Sequence, residues 1–259
     1  MAEPPALELE RITLAFGGLT VLAEVSGVVA PGELLALIGP NGAGKTSVLN
    51  CICGIYRAGA GRVLFGGVDI TGEKPHAIAR LGIARTFQHG ELVPHLTVID
   101  NLLVGRHARI RTGLLGEAVF SRRVQAEESA HREAVERFLE FVELERYRHH
   151  SVGALPFGIQ KVVGVARALA LEPRLLLLDE PSAGLSRDER EDLARFILRI
   201  KHEIGIAMIW VEHDMQMVAD LADRIHVLDY GRTLAEGLPE AVLRDPRVVE
   251  AYLGRAAAA

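Results

Sequence analysis

The 259 residues predict an α/β fold: a mainly parallel, helix-flanked sheet, an antiparallel β flap beside it, and a helical subdomain inserted into it. Three observations carry this. An apolar run, Leu34 to Ile38, leads through a glycine-rich loop directly into a helical segment beginning at Ser47. Short apolar runs alternate with helical patterns near both ends of the chain, as parallel sheets require. Between them the character turns helical without a Pro/Gly/Ser linker. The chain therefore reads as a single domain over 1–259, with core and flap from about 1–88 and 172–259 and the helical subdomain from about 89–171.

Leu7 to Phe16 alternates for part of its length and ends at Gly17-Gly18, which predicts a strand and a turn. Val21 to Val29 is its partner, and Pro31-Gly32 turns the chain into Leu34 to Ile38. Gly61 to Val68 is hairpin-like, broken by Gly66-Gly67. Pro75 opens a short helix to Arg80, and Ile83 to Phe87 is a strand ended by Gln88. Val98 to Val104 is a short apolar helix, Gly105 to Ser121 is irregular and basic, and Glu127 to Val142 has helical spacing. Gly158 to Leu171 is a further helix between prolines. Strands then return at Arg174 to Asp179, Ala207 to Val211 and Ile225 to Leu228. The helices Arg187 to His202 and Met215 to Leu221 lie between them. Gly231 breaks a last hairpin, and Pro239 and Pro246 open two short helices.

Composition narrows the function. Nearly half the residues are apolar, enough for a full core, yet no run approaches the ~20 residues of a membrane span. The N-terminus lacks a basic segment followed by an apolar one, so no signal peptide is expected. A net charge of −5 gives no electrostatic reason to bind nucleic acid. Cys51 and Cys53, at i and i+2 on one helix, face different sides and read as buried thiols rather than a disulfide or metal pair. The alanine tail reads as frayed.

Gly39-Pro40-Asn41-Gly42-Ala43-Gly44-Lys45-Thr46 is the strongest chemical signal. Glycines let successive backbone N–H groups turn inward as an anion nest. The helix that follows, beginning with Ser47, aims its own N–H groups and partial positive charge at the same point. Lys45 can reach β- and γ-phosphates, and the Thr46 hydroxyl can ligate Mg²⁺. A plain glycine turn is the competing reading, but every fixed position and both flanks agree with the phosphate loop. Leu175 to Leu178 then form a buried strand whose carboxyl end presents Asp179 and Glu180. Asp179 is expected to hold Mg²⁺ and Glu180 to polarise the attacking water, against the alternative of two acids capping a strand at the surface. Gln88, His213 and Phe16 are weak alone: a strand-end polar group, a structural histidine and a core aromatic are each commoner. Gln88 and His213 nevertheless end apolar strands, as Asp179 does, and can converge on one rim. There Gln88 can complete the Mg²⁺–water shell and His213 can contact the γ-phosphate, while Phe16 can stack under a base.

The order of Phe16, the phosphate loop, Gln88, Leu155 to Gln160, Asp179-Glu180, Ser182 to Ser186 and His213 resembles an ABC-type ATPase over essentially the whole chain. The resemblance implies an ABC-type nucleotide-binding domain that binds ATP and Mg²⁺. It further implies two cassettes paired head-to-tail, each ATP lying between one phosphate loop and the partner's signature motif. It makes Phe16 the adenine-stacking aromatic, Gln88 the Q-loop glutamine, Glu180 the catalytic glutamate and His213 the switch histidine. The signature Leu-Ser-Gly-Gly-Gln falls on Leu155-Pro156-Phe157-Gly158-Ile159, where only Leu155 and Gly158 match. Pro156 removes a hydroxyl and an N–H donor useful to a γ-phosphate, while Gly158 and the following helix start remain. Ser186 stands where an aspartate is common.

Within the family the sequence is most similar to ATPase subunits of bacterial branched-chain amino acid importers. The carriers are Thr86-Phe87-Gln88 followed by Leu96 to Leu102, an extra stretch near 106–128, and the end Val248 to Gly254. That resemblance implies a peripheral subunit on the cytoplasmic face of the membrane, powering integral permease subunits served by an extracytoplasmic solute-binding protein. Its second cassette is either identical or different. The basic stretch holding Arg106, His107, Arg109, Arg111, Arg122 and Arg123 is read as a solvated loop, with contact to lipid headgroups or to the permease as the alternative. Two rival functions are a soluble mechanochemical ATPase and an ATP-binding regulator. One cassette, no sustained heptads and acidic charge weigh against the first; Glu180 and His213 weigh against the second.

Overall fold

The computed structural model describes residues 4–86, 92–110 and 122–256. In chain order the first strands are β1 (Leu7–Phe16), β2 (Leu19–Val29), β3 (Leu34–Ile38), β4 (Ala60–Phe65), β5 (Val68–Asp69) and β6 (Ile83–Thr86). The later ones are β7 (Leu175–Asp179), β8 (Ala207–Val211), β9 (Arg224–Asp229) and β10 (Arg232–Gly237). They form a four-stranded sheet ordered β2-β1-β4-β5 and a six-stranded sheet ordered β10-β9-β3-β8-β7-β6. The small sheet is the expected flap: β1 pairs antiparallel with β2 and β4, β4 pairs antiparallel with β5, and β1 alternates so that Leu7, Leu9, Ile12 and Leu14 are buried. In the large sheet β3 pairs parallel with β8 and β9, and β7 pairs parallel with β8. Strands β3, β7 and β8 are buried at every position, which is why they read as unbroken apolar runs rather than alternating ones.

Register fixes where the chemistry falls. Asp179 lies opposite Val211, and Val211 lies opposite Leu37. Three parallel strands therefore end on one edge, and the chain leaves them at Gly39, Glu180 and Glu212. Helix α1 (Lys45–Ile52) buries Val48, Leu49 and Ile52 on one face. Helix α2 (Pro75–Leu81) starts at a proline and stops at Gly82, whose φ is +101°.

The chain divides into two compact units. Unit 1 holds 1–85, 174–180 and 194–259, with both sheets; unit 2 holds 86–173 and 181–193. Residues 181–193, placed with the core by the sequence reading, group instead with the helical unit. Unit 2 contains α3 (Val98–Gly105), α4 (Arg122–Phe141) and α5 (Phe157–Leu169). Helix α6 (Arg187–Arg199) begins in unit 2, continues into unit 1 and passes into a π-helical turn, Ile200–Ile204. Unit 1 ends with α7 (Met215–Leu221), α8 (Pro239–Val242) and α9 (Pro246–Ala256). Among the described residues no helix is long and apolar enough to cross a membrane.

Three expectations change. Cys51 is buried and its thiol is pushed up to about 11 by that burial, but Cys53 is only half-buried. Helix α4 starts at Arg122, five residues before its first expected residue, so Arg122 and Arg123 belong to a helix and not to an irregular loop. Arg106 is not a solvated loop charge, and Arg109, though exposed, is paired. Arg106 is buried, its Nε donates to His131 Nδ1 (2.9 Å), and its Nη1 donates to Ala170 O (2.8 Å) and pairs with Glu172 (2.9 Å). Arg109 pairs with the other Glu172 oxygen at 2.7 Å. Both arginines therefore tie α3 and the turn after it to the end of α5. Arg111 and the rest of 111–121 lie outside the described residues.

Leu177 is fully buried in β7, between β8 and β6. Leu177→Ala is expected to cost about 3 kcal/mol of unfolding free energy. In urea the midpoint should fall with an unchanged slope; a loss below about 1 kcal/mol would contradict the burial.

Candidate functional site

The phosphate loop is held from behind by backbone. Gly39 has φ +148°, and a Cβ there would stand 2.1 Å from Leu228 O, so only glycine fits between β3 and β9. Gly44 has φ +104°, and its Cβ would stand 2.7 Å from Leu22 Cδ2. Gly231, in the β9–β10 turn, donates its N–H to Ala43 O (2.9 Å) and accepts from Ala23 N–H (2.8 Å). The β1–β2 hairpin and the turn after β9 thus fix the loop from two sides. In the C-terminal helix, burial pushes the Tyr252 hydroxyl up to about 12.

The other face of the loop is open. Asn41, Gly42 and Thr46 are exposed, Ser47 is half-buried, and Pro40 and Ala43 are buried. Helix α1 begins after Gly44 with no side-chain cap and no acidic residue in its first turn. A helix start without a side-chain cap or an acid in its first turn presents N–H groups and a partial positive charge suited to an anion. Lys45 is buried, and its Nζ donates to the carbonyls of Gly39 (2.6 Å) and Pro40 (3.1 Å). The same ammonium can exchange carbonyls for phosphate oxygens without leaving the loop.

Phe16 ends β1 with 48% of its surface exposed and meets Tyr56 edge-to-face, with ring centroids 5.1 Å apart. An exposed ring braced at its edge is suited to stacking. Tyr56 was not singled out from sequence.

The two adjacent acids point to different partners. Asp179 is 3% exposed, and its Oδ2 accepts from Arg85 Nη2 at 2.7 Å. Glu180 has φ +47°, a left-handed conformation that costs a non-glycine residue about 1–2 kcal/mol. Its N–H donates to Val211 O at 3.0 Å, which keeps the turn. Turned in this way, Glu180 Oε1 lies 2.8 Å from His213 Nε2. His213 is set by its neighbours: its N–H donates to the buried Glu212 carboxylate at 2.8 Å. Asp214 next to it caps α7 by accepting from the N–H groups of Gln216 and Met217. Glu180 and His213, weakly linked in sequence, are thus brought into direct contact. Gln88 lies outside the described residues.

Among the described residues no cluster of three or more His, Cys, Asp or Glu side chains forms. Mg²⁺ does not require one, since it takes one or two protein oxygens together with waters and substrate phosphates. An exposed hydroxyl at the start of α1, Thr46, and a buried carboxylate, Asp179, are hard oxygen donors of that kind. This donor set fits Mg²⁺ better than a softer metal.

In unit 2, Leu155 is buried and α5 starts at Phe157 with Pro156 as its N-cap. Pro156 O accepts from Gln160 N–H (3.1 Å), and Gln160 Nε2 donates to Leu155 O (2.8 Å). Proline therefore occupies a position outside the helical ladder, where its missing N–H breaks no intrahelical bond. Phe157 is exposed, with Lys161 over its ring at 5.3 Å. Gly158 abuts Glu189: a Cβ there would stand 2.2 Å from Glu189 Oε1. Glu189 Oε2 accepts from the Ser186 N–H and hydroxyl, both at 2.9 Å. Those two bonds, with a smaller contribution from the Gly158 N–H, hold its carboxyl below the usual range. Ser186-Arg187-Asp188-Glu189 is a capping box, a spacing visible in the sequence and missed there. Serine at 186 in place of aspartate thus has a local structural role.

Two protein families and several known proteins match this chain. The family described as ABC transporter matches residues 22–183, and the family described as branched-chain amino acid ATP-binding cassette transporter matches 232–258. The high-affinity branched-chain amino acid transport ATP-binding protein BraF of Pseudomonas aeruginosa is 38% identical, over 97% of this chain and 99% of that protein. The corresponding LivG of Escherichia coli K12 is 36% identical over the same shares. A crystal structure of the ADP conformation of an ATP-binding cassette of an ABC transporter superposes with a TM-score of 0.85 and 34% identity, covering 96% of this chain and 99% of that one.

The loop geometry separates two glycine substitutions. Gly42 has φ +78° with nothing within 4 Å of a Cβ, so Gly42→Ala carries only backbone strain, about 1–2 kcal/mol. Gly39→Ala adds a collision with a backbone carbonyl and is expected to unfold at clearly lower denaturant. Equal midpoints would contradict the close approach of the loop to β9.

Proposed function

The chain belongs to the ABC transporter ATP-binding family, and from that premise we propose that it is the ATP-hydrolysing subunit of a membrane importer for branched-chain or related amino acids. The 2.8 Å contact between Glu180 and His213 carries the hydrolytic part of this reading, because it joins a base to the group that orients it. The transport part is supported by likeness over nearly the whole chain, including the matched segment 232–258.

In this reading ATP lies on the loop Gly39 to Thr46, with its adenine on Phe16. Lys45 moves from the Gly39 and Pro40 carbonyls to the β- and γ-phosphates, and the N–H groups opening α1, Ser47 among them, receive the same oxygens. Thr46, Asp179 and Gln88 would hold Mg²⁺, which when bound would neutralise charge on the phosphate oxygens. Glu180 polarises a water in line with the γ-phosphorus, and His213 fixes Glu180 and contacts the γ-phosphate. The water oxygen bonds to phosphorus as the bond to the β-phosphate oxygen breaks. ADP and inorganic phosphate leave, the water's proton passing by way of Glu180, and no covalent enzyme intermediate forms. Leu155 and Gly158 serve the ATP of a second cassette, identical or different. The subunit sits peripherally on the cytoplasmic membrane face and borrows its membrane spans from permease subunits, which in turn receive solute from an extracytoplasmic binding protein.

Turnover of wild type and Glu180→Gln, each with and without the permease, tests the proposal. The variant should retain ATP binding and lose about 10²-fold or more in rate. Equal, near-zero turnover of wild type in every condition would overturn the catalytic role.

A further inference from the structure

Arg85 is a charged residue in a short strand, Ile83–Thr86, where Ile83, Ala84 and Thr86 are buried. Its side chain is itself only 5% exposed. One guanidinium nitrogen, Nη2, donates to Asp179 Oδ2 at 2.7 Å, and the other, Nη1, donates to Asn50 Oδ1 at 2.6 Å. Asn50 lies on α1, the helix that opens with Lys45 and Thr46. A single planar group therefore spans the acid at the end of β7 and the helix that follows the phosphate loop, from the strand leading toward Gln88.

We propose that Arg85 is a positioning residue for the Mg²⁺ site: it fixes the Asp179 carboxylate and, through Asn50, holds it in register with the helix that carries Thr46. This rests on the ATPase reading above. Two donors at a fixed angle suit the task, because arginine satisfies two separate acceptors without either side chain rotating. A lysine is a point charge and can hold only one of them in that geometry. A buried pair is also costly to leave half-made, so the link resists opening while the loop exchanges ligands. The alternative is that the pair only stabilises the fold; it would then leave the metal dependence of nucleotide binding untouched.

The test measures binding of a fluorescent, slowly hydrolysed ATP analogue to the full chain, once in EDTA and once in excess Mg²⁺. The ratio of the two dissociation constants reports the metal site, and the EDTA value reports the phosphate loop. In Arg85→Gln the Mg²⁺ enhancement should fall about tenfold, as it does when outer-shell partners of metal ligands are removed, with the EDTA value changed less than about twofold. Arg85→Lys should fall between wild type and Arg85→Gln. Adding Arg85→Gln to Asp179→Asn should cost nothing further, because both act through one carboxylate. If Arg85→Gln does not fold, Asn50→Ala removes no charge and should still weaken the enhancement. A wild-type enhancement in folded Arg85→Gln, or in Asn50→Ala where Arg85→Gln does not fold, would overturn the role of Arg85 and leave the ATPase reading standing. A wild-type chain that binds no analogue in either condition would overturn both.

Discussion

A buried ammonium at position 45 has to be satisfied whether or not nucleotide is bound. In this structure the carbonyls of Gly39 and Pro40 satisfy it, within the same loop that would present it to phosphate. That arrangement constrains much around it. The loop needs left-handed and close-packed glycines, so β9, the β1–β2 hairpin and the β9–β10 turn must press against its back. Helix α1 starts without an acid or a side-chain cap, so no carboxylate of its own first turn competes for its N-terminal N–H groups. The loop is held by its neighbours on one side, while Asn41, Gly42 and Thr46 stay exposed on the other.

The parallel sheet supplies the second half of the chemistry by register. The chain turns directly after Asp179, so the two consecutive acids at the end of β7 take different partners. Asp179 stays within the sheet and pairs with Arg85; Glu180 turns through a left-handed φ and meets His213 from the next strand. The strain at Glu180 and the buried charge at Asp179 are local costs. Both fall at the carboxyl edge of β3, β7 and β8, where ligands of open α/β sheets bind.

Much of this was legible in the sequence. The phosphate loop, Leu175 to Glu180 and most strand and helix limits follow from apolar period, glycines and prolines, which act locally. What escaped depends on partners distant in the chain. Arg85 reads as a polar interruption of a strand because Asp179 lies 94 residues away. Arg106 reads as part of a basic loop because Ala170 and Glu172 lie more than sixty residues on. Glu189 is different: its partner Ser186 is three residues away, so this capping box is a local pattern within reach of the sequence. The grouping of 181–193 with the helical unit is a matter of packing, which no linker composition announces.

Lys45 rests on the loop's own carbonyls, and in the proposed function it leaves them for phosphate. A crystal structure with Mg²⁺ and a non-hydrolysable ATP analogue tests it most directly. Lys45 Nζ should leave Gly39 O and Pro40 O for the β- and γ-phosphate oxygens, with the N–H groups at the start of α1 on the same phosphates. Nucleotide bound elsewhere, or bound with Lys45 still on the two carbonyls, would contradict the account.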